Sequence, residues 1–106
     1  MTYQPERVEP EIRSSRSEVS LTCEVRQGTR PWAKVKLYDI SETGFRIDWR
    51  PGFDDHHPMY IRIPGLALLT SHLRWKREAW IGGEFAAPLY PAVYDHIVQQ
   101  SRLQND

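Results

Sequence analysis

Strict alternation of apolar and polar residues is the feature that most restricts the fold of this chain. In residues 18–25 the apolar positions are Val19, Leu21, Cys23 and Val25, and every residue between them is polar. Successive side chains of a β-strand point to opposite faces. This segment therefore predicts a strand with one buried face and one exposed face.

Five further short segments are predicted to be strands. They are residues 33–40, 45–49, 59–63, 69–77 and 79–87. In the fifth predicted strand Leu69, Ser71, Leu73 and Trp75 are expected to share one face. A tight turn near residues 76–78 would return the chain into the sixth strand. Gly82 and Gly83 weaken that sixth strand, which predicts a bulge or a close approach by another group.

The end of the chain has a different period. Val93, Tyr94, Ile97 and Val98 have helical spacing, and Pro91 suits a first helical turn because its missing N–H is no loss there. We expect this helix to cap one opening of a barrel. Many short antiparallel strands in 106 residues predict a single barrel or sandwich domain over residues 18–104. Residues 1–17 are proline-containing and aperiodic, and we expect a flexible arm.

Charge and cysteine content limit the kinds of partner and the cellular location to be expected. Lys plus Arg number 14 and Asp plus Glu number 14, so the net charge is zero. That balance argues against a nucleic-acid polymer or an anionic membrane as partner, but a small anion could bind a local arginine cluster. The lone Cys23 has no partner for an internal disulfide, which favours a reducing, cytoplasmic location. We expect neither a signal peptide nor a membrane insertion, because the sequence has no suitable apolar run.

Catalysis and metal binding are not indicated. Cys23 lies on the apolar face of a predicted strand and is expected to be a packing residue rather than a nucleophile. Residues 54–57 form the run Asp-Asp-His-His, but adjacent loop residues rarely converge on one ion, so we expect a solvated loop tip. The chain is therefore not predicted to be an enzyme or to hold a metal.

Two polar clusters remain as candidate binding residues. Arg13 and Arg16 precede the first strand, and the segment DISETG, which contains Asp39, Ser41 and Gly44, connects the second and third strands. Each has an ordinary structural explanation. The arginines could be solvated, and the loop could be a hairpin in which Asp39 and Ser41 bond local backbone and Gly44 adopts a positive φ.

Taken together, the two clusters resemble the PilZ domain family. The ending LRW…WIGGEFAAPLYPAVYDHIV is also similar to the last strands and helix of that family. The resemblance covers roughly residues 10–100 and implies a six-stranded antiparallel barrel with a C-terminal α-helix. It further implies a bacterial receptor that binds the second messenger cyclic di-GMP and signals to a protein partner.

The resemblance also assigns roles to residues. Arg13 and Arg16 would clamp the ligand from the arm, since arginine presents a fork of donors to phosphates or to guanine O6 and N7. Asp39 would accept from guanine N–H groups, Ser41 would hydrogen bond at the ligand's edge, and Gly44 would let the chain come close.

One position departs from the family pattern. The family has two arginines four residues apart, whereas Ile12 occupies the position four residues before Arg16 and Arg13 is only three before it. The alternative function is therefore a PilZ-like interaction module that has lost cyclic di-GMP binding.

Overall fold

The computed structural model describes residues 16–66 and 68–105, and it shows a closed six-stranded antiparallel barrel with one helix in that part of the chain. The strands are β1 (Ser17–Gln27), β2 (Ala33–Ile40), β3 (Gly44–Asp48), β4 (Met59–Arg62), β5 (Leu69–Arg77) and β6 (Trp80–Phe85), and the helix is α1 (Pro91–Asn105). The predicted fold class is confirmed. The expected roles of Arg13 and Ile12 fall on residues outside those described.

Strand order around the barrel is β1-β2-β3-β6-β5-β4, and every neighbouring pair is antiparallel. The inward positions predicted by the alternation fill the core. Leu21, Cys23 and Val25 of β1 are at most 2% exposed, and Phe45 and Ile47 of β3 are equally buried. Burial of this apolar surface is the main stabilising contribution to the fold.

The helix closes a part of the barrel that β4 does not reach. β4 pairs only with residues 24–27 of β1, and α1 packs against β1. The Ser101 hydroxyl accepts a hydrogen bond from the Ser20 amide at 2.7 Å, and Ile97 is fully buried in the core. Ser20 lies at a register shift between β1 and β2, so the helix satisfies a backbone donor that the ladder leaves free.

A bulge in β5 changes the predicted facing of Trp75. The β5–β6 register shifts between Leu73 and Trp75, so Trp75 lies opposite Gly82 and is 39% exposed, whereas Leu73 is buried. The expectation that Trp75 shares the face of Leu73 was therefore wrong. The expected close approach of other groups to Gly82 and Gly83 is confirmed, because the Trp75 ring packs directly over Gly82 and the Phe45 ring over Gly83.

Two findings concern the functions that the sequence analysis set aside. Within the described ranges, no helix has the length and apolar character required to span a membrane. Among the same residues, no group of three or more His, Cys, Asp or Glu side chains is placed to hold a metal ion. His56 and His57 are exposed, as expected for a loop tip.

Candidate functional site

The structure brings Arg16 and Asp39 together at the entrance to β1. Asp39 is near the end of β2, beside Glu18 of β1 and Arg46 of β3 in the two ladders. Arg16 Nη1 lies 3.4 Å from Asp39 Oδ1, and the Arg16 side chain is 54% exposed. Two residues predicted from separate clusters are thus an ion pair on the outer surface of the barrel.

Arg46 completes this group, and the sequence analysis missed it. Its Nε donates to Asp39 Oδ2 at 2.8 Å. Its guanidinium also lies over two aromatic rings, 5.4 Å from the centroid of Tyr38 and 4.8 Å from that of Trp80. In the β2–β3 hairpin Ile40 pairs with Phe45, so the preceding residue of β2, Asp39, pairs with the following residue of β3, Arg46. This hairpin register is the sequence signal from which the contact could have been predicted.

The carboxylate of Asp39 is buried but only partly paired. Its side chain is 7% exposed. Oδ2 accepts from Arg46, whereas Oδ1 is inaccessible to solvent and, among the described residues, has no hydrogen-bond donor. Arg16 is at ion-pair distance from Oδ1 without the alignment of a hydrogen bond. Among the described residues, Oδ1 therefore has its ion pair with Arg16 but accepts no hydrogen bond, and a buried acceptor in that position is destabilising by about 1–3 kcal/mol.

Ser41 has a structural role in the turn between β2 and β3. Its Oγ accepts hydrogen bonds from the amides of Gly44 at 3.0 Å and Thr43 at 3.2 Å. Its own amide donates to the Gly44 carbonyl at 2.8 Å, and the residue is 3% exposed. This is the local backbone bonding that the structural explanation predicted for Ser41, and it directs the hydroxyl into the turn.

Gly44 is required for close packing rather than for a left-handed backbone. Its φ is not positive, so the expectation of a positive φ was wrong. A Cβ at Gly44 would lie 2.7 Å from the carbonyl oxygen of Gly83, a contact that real side chains do not make. Asp39 also departs from the structural explanation of the loop, because its carboxylate forms ion pairs with two arginines, and no hydrogen bond to the local backbone is found among the described residues.

The turn is anchored to the rest of the barrel at two points. The Glu42 carbonyl accepts from the Leu89 amide at 2.8 Å, and the Thr43 carbonyl accepts from the Phe85 amide at 2.8 Å. These bonds join the turn to the end of β6 and to the segment before α1. Asp39 therefore adjoins a turn that two backbone hydrogen bonds hold to the rest of the barrel, and a binding group requires such support to keep its position.

The surface next to Asp39 carries aromatic rings and cations. Tyr38 and Trp80 meet edge to face at 6.2 Å, and Lys36 Nζ lies 5.3 Å from the Tyr38 ring centroid. The Tyr38 hydroxyl donates to Asp48 Oδ1 at 2.5 Å, and this bond raises the pKa of Tyr38. Partial burial alone would raise the pKa of Asp48, but bonds from the Tyr38 hydroxyl and the Lys36 amide outweigh it and hold that pKa below its ordinary value.

Comparison with known proteins supports the fold. No protein-family profile matches the chain, and a search of curated proteins finds no relative. Among solved structures, the inhibitor of motility MotI/DgrA from Bacillus subtilis matches with a TM-score of 0.56 and 12% sequence identity. The match covers 97% of this chain and 53% of that one, so this chain spans about half its length. At that identity the likeness shows the fold alone, and it supports a PilZ-like barrel.

Proposed function

We propose that this chain is a PilZ-like receptor for cyclic di-GMP, with the ligand bound over Arg16, Asp39 and Arg46. The observation that carries the proposal is the convergence of Arg16 and Arg46 on the carboxylate of Asp39, with the Arg16 side chain 54% exposed. Guanine N–H groups are donors that a carboxylate such as Asp39 can accept. The similar structure is named an inhibitor of motility, which accords with a regulatory rather than a catalytic role.

Charge at the site suits an anionic ligand. Arg16 and Arg46 contribute two positive charges against one negative charge on Asp39, so these three side chains together carry a net charge of +1, and Glu18 adds a carboxylate opposite Asp39 in the ladder. The exposed Arg16 can turn its fork of N–H donors to a phosphate or to guanine O6 and N7. Arg46 is already fixed by two rings and by Asp39, so we assign it the role of holding the carboxylate in place.

The cluster needs a second wall to enclose a dinucleotide, since the Arg16 side chain is 54% exposed. In this proposal residues 1–15 supply that wall, because they precede Arg16 directly in the chain. Arg13 then provides a further charge-assisted contact from the arm. Such a contact is worth about 1.5–3 kcal/mol, or roughly 10- to 100-fold in affinity.

The second candidate function is an interaction module that binds a protein constitutively and has lost the ligand. Specific observations favour it. The Ser41 hydroxyl accepts from amides of its own turn, and Gly44 lies against the backbone of β6. Arg46 already pairs with the carboxylate of Asp39. Ile12 at the first arginine position points the same way.

Calorimetric titration separates the two candidates. The full chain is titrated with cyclic di-GMP, and the linear dinucleotide of the same bases serves as the matched control. Saturable binding of the cyclic form, at least tenfold tighter than the linear form, supports the receptor. An absence of heat with both nucleotides, for a chain whose circular dichroism shows a folded barrel, contradicts the receptor and favours the interaction module.

A further inference from the structure

A second cluster of arginines surrounds Trp32, just after the turn that connects β1 and β2. The Arg62 guanidinium lies 4.1 Å from the Trp32 ring centroid, and that of Arg26 lies 5.8 Å from it. Tyr60 is the cross-strand neighbour of Arg26 in β4. Trp, Tyr and Arg are the residues most enriched among those that dominate protein–protein binding energy.

Two arginines of this cluster are held in place but not neutralised. Arg26 Nε donates to the Gly28 carbonyl at 3.1 Å, and Arg30 Nη1 donates to the Gly52 carbonyl. Within residues 16–66 and 68–105, neither Arg26 nor Arg30 has an acidic partner. A carbonyl fixes a guanidinium without cancelling its charge, so both remain available to a carboxylate.

The neighbouring arginines differ in this respect. Arg62 Nη2 lies 2.8 Å from Glu24 Oε1, and Arg50 Nη2 lies 3.4 Å from Asp48 Oδ2. Asp54 shares a groove wall with Arg30, and its carboxylate is paired with His57. The local balance is therefore four arginines against three carboxylates, and Arg26 and Arg30 are the arginines that contribute the excess positive charge. A partner with acidic groups would complement this excess.

Two grooves flank Trp32 and share it as a wall. One has a volume of about 430 Å³ and the other about 300 Å³. Among the described residues, the groove walls contain arginines and apolar groups but no acidic residue; the apolar walls include Pro31, Phe53 and Leu68. Grooves of this size admit single side chains rather than a duplex or a membrane surface.

This surface is separate from the Asp39 site. Trp32 immediately precedes β2, whereas Asp39 lies near its far end. The two residues are seven positions apart along extended chain, which corresponds to roughly 23 Å at about 3.3 Å per residue. One ligand of dinucleotide size would not cover both.

We infer that the Trp32 surface, defined as Trp32, Arg26, Arg30, Tyr60 and the two grooves beside them, docks an acidic segment of a protein partner. Carboxylates of the segment pair with Arg26 and Arg30, and an apolar side chain enters a groove beside Trp32. A nucleic-acid polymer fits less well, because the chain as a whole has no net charge and the grooves are walled by apolar groups. This inference does not depend on the cyclic di-GMP proposal.

Fluorescence anisotropy with the full chain tests the inference. The probe is a labelled peptide with a central Leu-Phe pair flanked on both sides by glutamates, and the control probe carries lysines in place of the glutamates. We expect saturable binding of the acidic peptide only. Arg30→Glu should weaken it at least tenfold, whereas Arg77→Glu, an equal charge change on an exposed residue of β5, should leave it unchanged.

Trp32→Ala serves as the second variant, with thermal melts to verify that it is folded. It should also weaken binding at least tenfold, while Arg16→Ala should not. The inference is overturned if the acidic peptide fails to bind. It is equally overturned if Arg30→Glu and Arg77→Glu behave alike, or if a labelled DNA duplex or anionic phosphatidylserine vesicles bind more tightly than the acidic peptide and lose that binding in Trp32→Ala.

Discussion

Replacing Gly83 with alanine should destabilise the barrel far more than the same change at its neighbour Gly82. A Cβ at Gly83 would meet the Phe45 ring, with Cε1 at 2.8 Å and Cε2 at 3.0 Å among the contacts. Phe45 is 2% exposed and packs on Phe85 with ring centroids 5.1 Å apart, so it has no free space to retreat into. Overpacking of this kind destabilises a core by about 1–3 kcal/mol.

At Gly82 the obstacle is a movable side chain. The contacts a Cβ would make there are with Trp75, which is 39% exposed and can turn toward solvent. Alanine also relieves the entropic penalty of glycine in a strand by about 0.5–1 kcal/mol. We therefore expect Gly82→Ala to change the unfolding free energy by under about 1 kcal/mol, against a loss of about 1–3 kcal/mol for Gly83→Ala.

Differential scanning calorimetry measures the contrast. For a domain of this size each kcal/mol shifts Tm by about 4–8 °C, so Gly83→Ala should melt clearly below the parent. The double variant Trp75→Ala/Gly82→Ala provides the control, because removing the obstructing ring should make the alanine neutral or stabilising. Equal melting temperatures for Gly82→Ala and Gly83→Ala, or a larger loss at Gly82, would refute the packing argument.

Three other substitutions and reactions have defined outcomes. Arg46→Ala should lower the unfolding free energy by about 1.5–3 kcal/mol in urea titrations, because Asp39 loses a charge-assisted bond, and an unchanged midpoint would contradict that pairing. Burial raises the pKa of the Cys23 thiol from 9.0 to about 12. Iodoacetamide should therefore modify Cys23 only after unfolding, and rapid labelling of the native protein would show an exposed thiol. The free energy of unfolding should fall as the pH rises from 9.0 toward 12, because the unfolded chain loses the thiol proton first. If Ile12 marks a lost arginine, Ile12→Arg should tighten cyclic di-GMP binding by a few-fold to some tens-fold. The new contact would contribute about 1.5–3 kcal/mol, and ordering the arginine side chain would cost roughly 0.5–1.5 kcal/mol of it. If Arg13 serves instead, Arg13→Ala should abolish binding and Ile12→Arg should gain nothing.

The strands and the helix could be predicted from the sequence because each has its own periodic pattern of apolar residues. The 33–40 and 69–77 segments match β2 and β5 at both ends, and Pro91 is the first residue of α1. Such local patterns report which face of a strand is buried without knowledge of its partners.

The misses depended on relations between strands. The facing of Trp75 was wrong because the β5 bulge is defined only by the register against β6. Arg46 was missed because its importance arises from lying opposite Asp39 on the neighbouring strand. The positive φ that the structural explanation expected for Gly44 was wrong, since what requires a glycine there is a neighbour on β6, far away in sequence.

Calorimetric titration of cyclic di-GMP into Asp39→Asn and Arg16→Ala tests the proposed site most directly. Asparagine keeps the shape of Asp39 but removes its charge, and Arg74→Ala removes an arginine whose only described ion pair is the exposed one with Glu84. The account predicts at least tenfold weaker binding for the first two variants and parental affinity for Arg74→Ala. Equal affinities in all three folded variants would contradict a cyclic di-GMP site at Asp39.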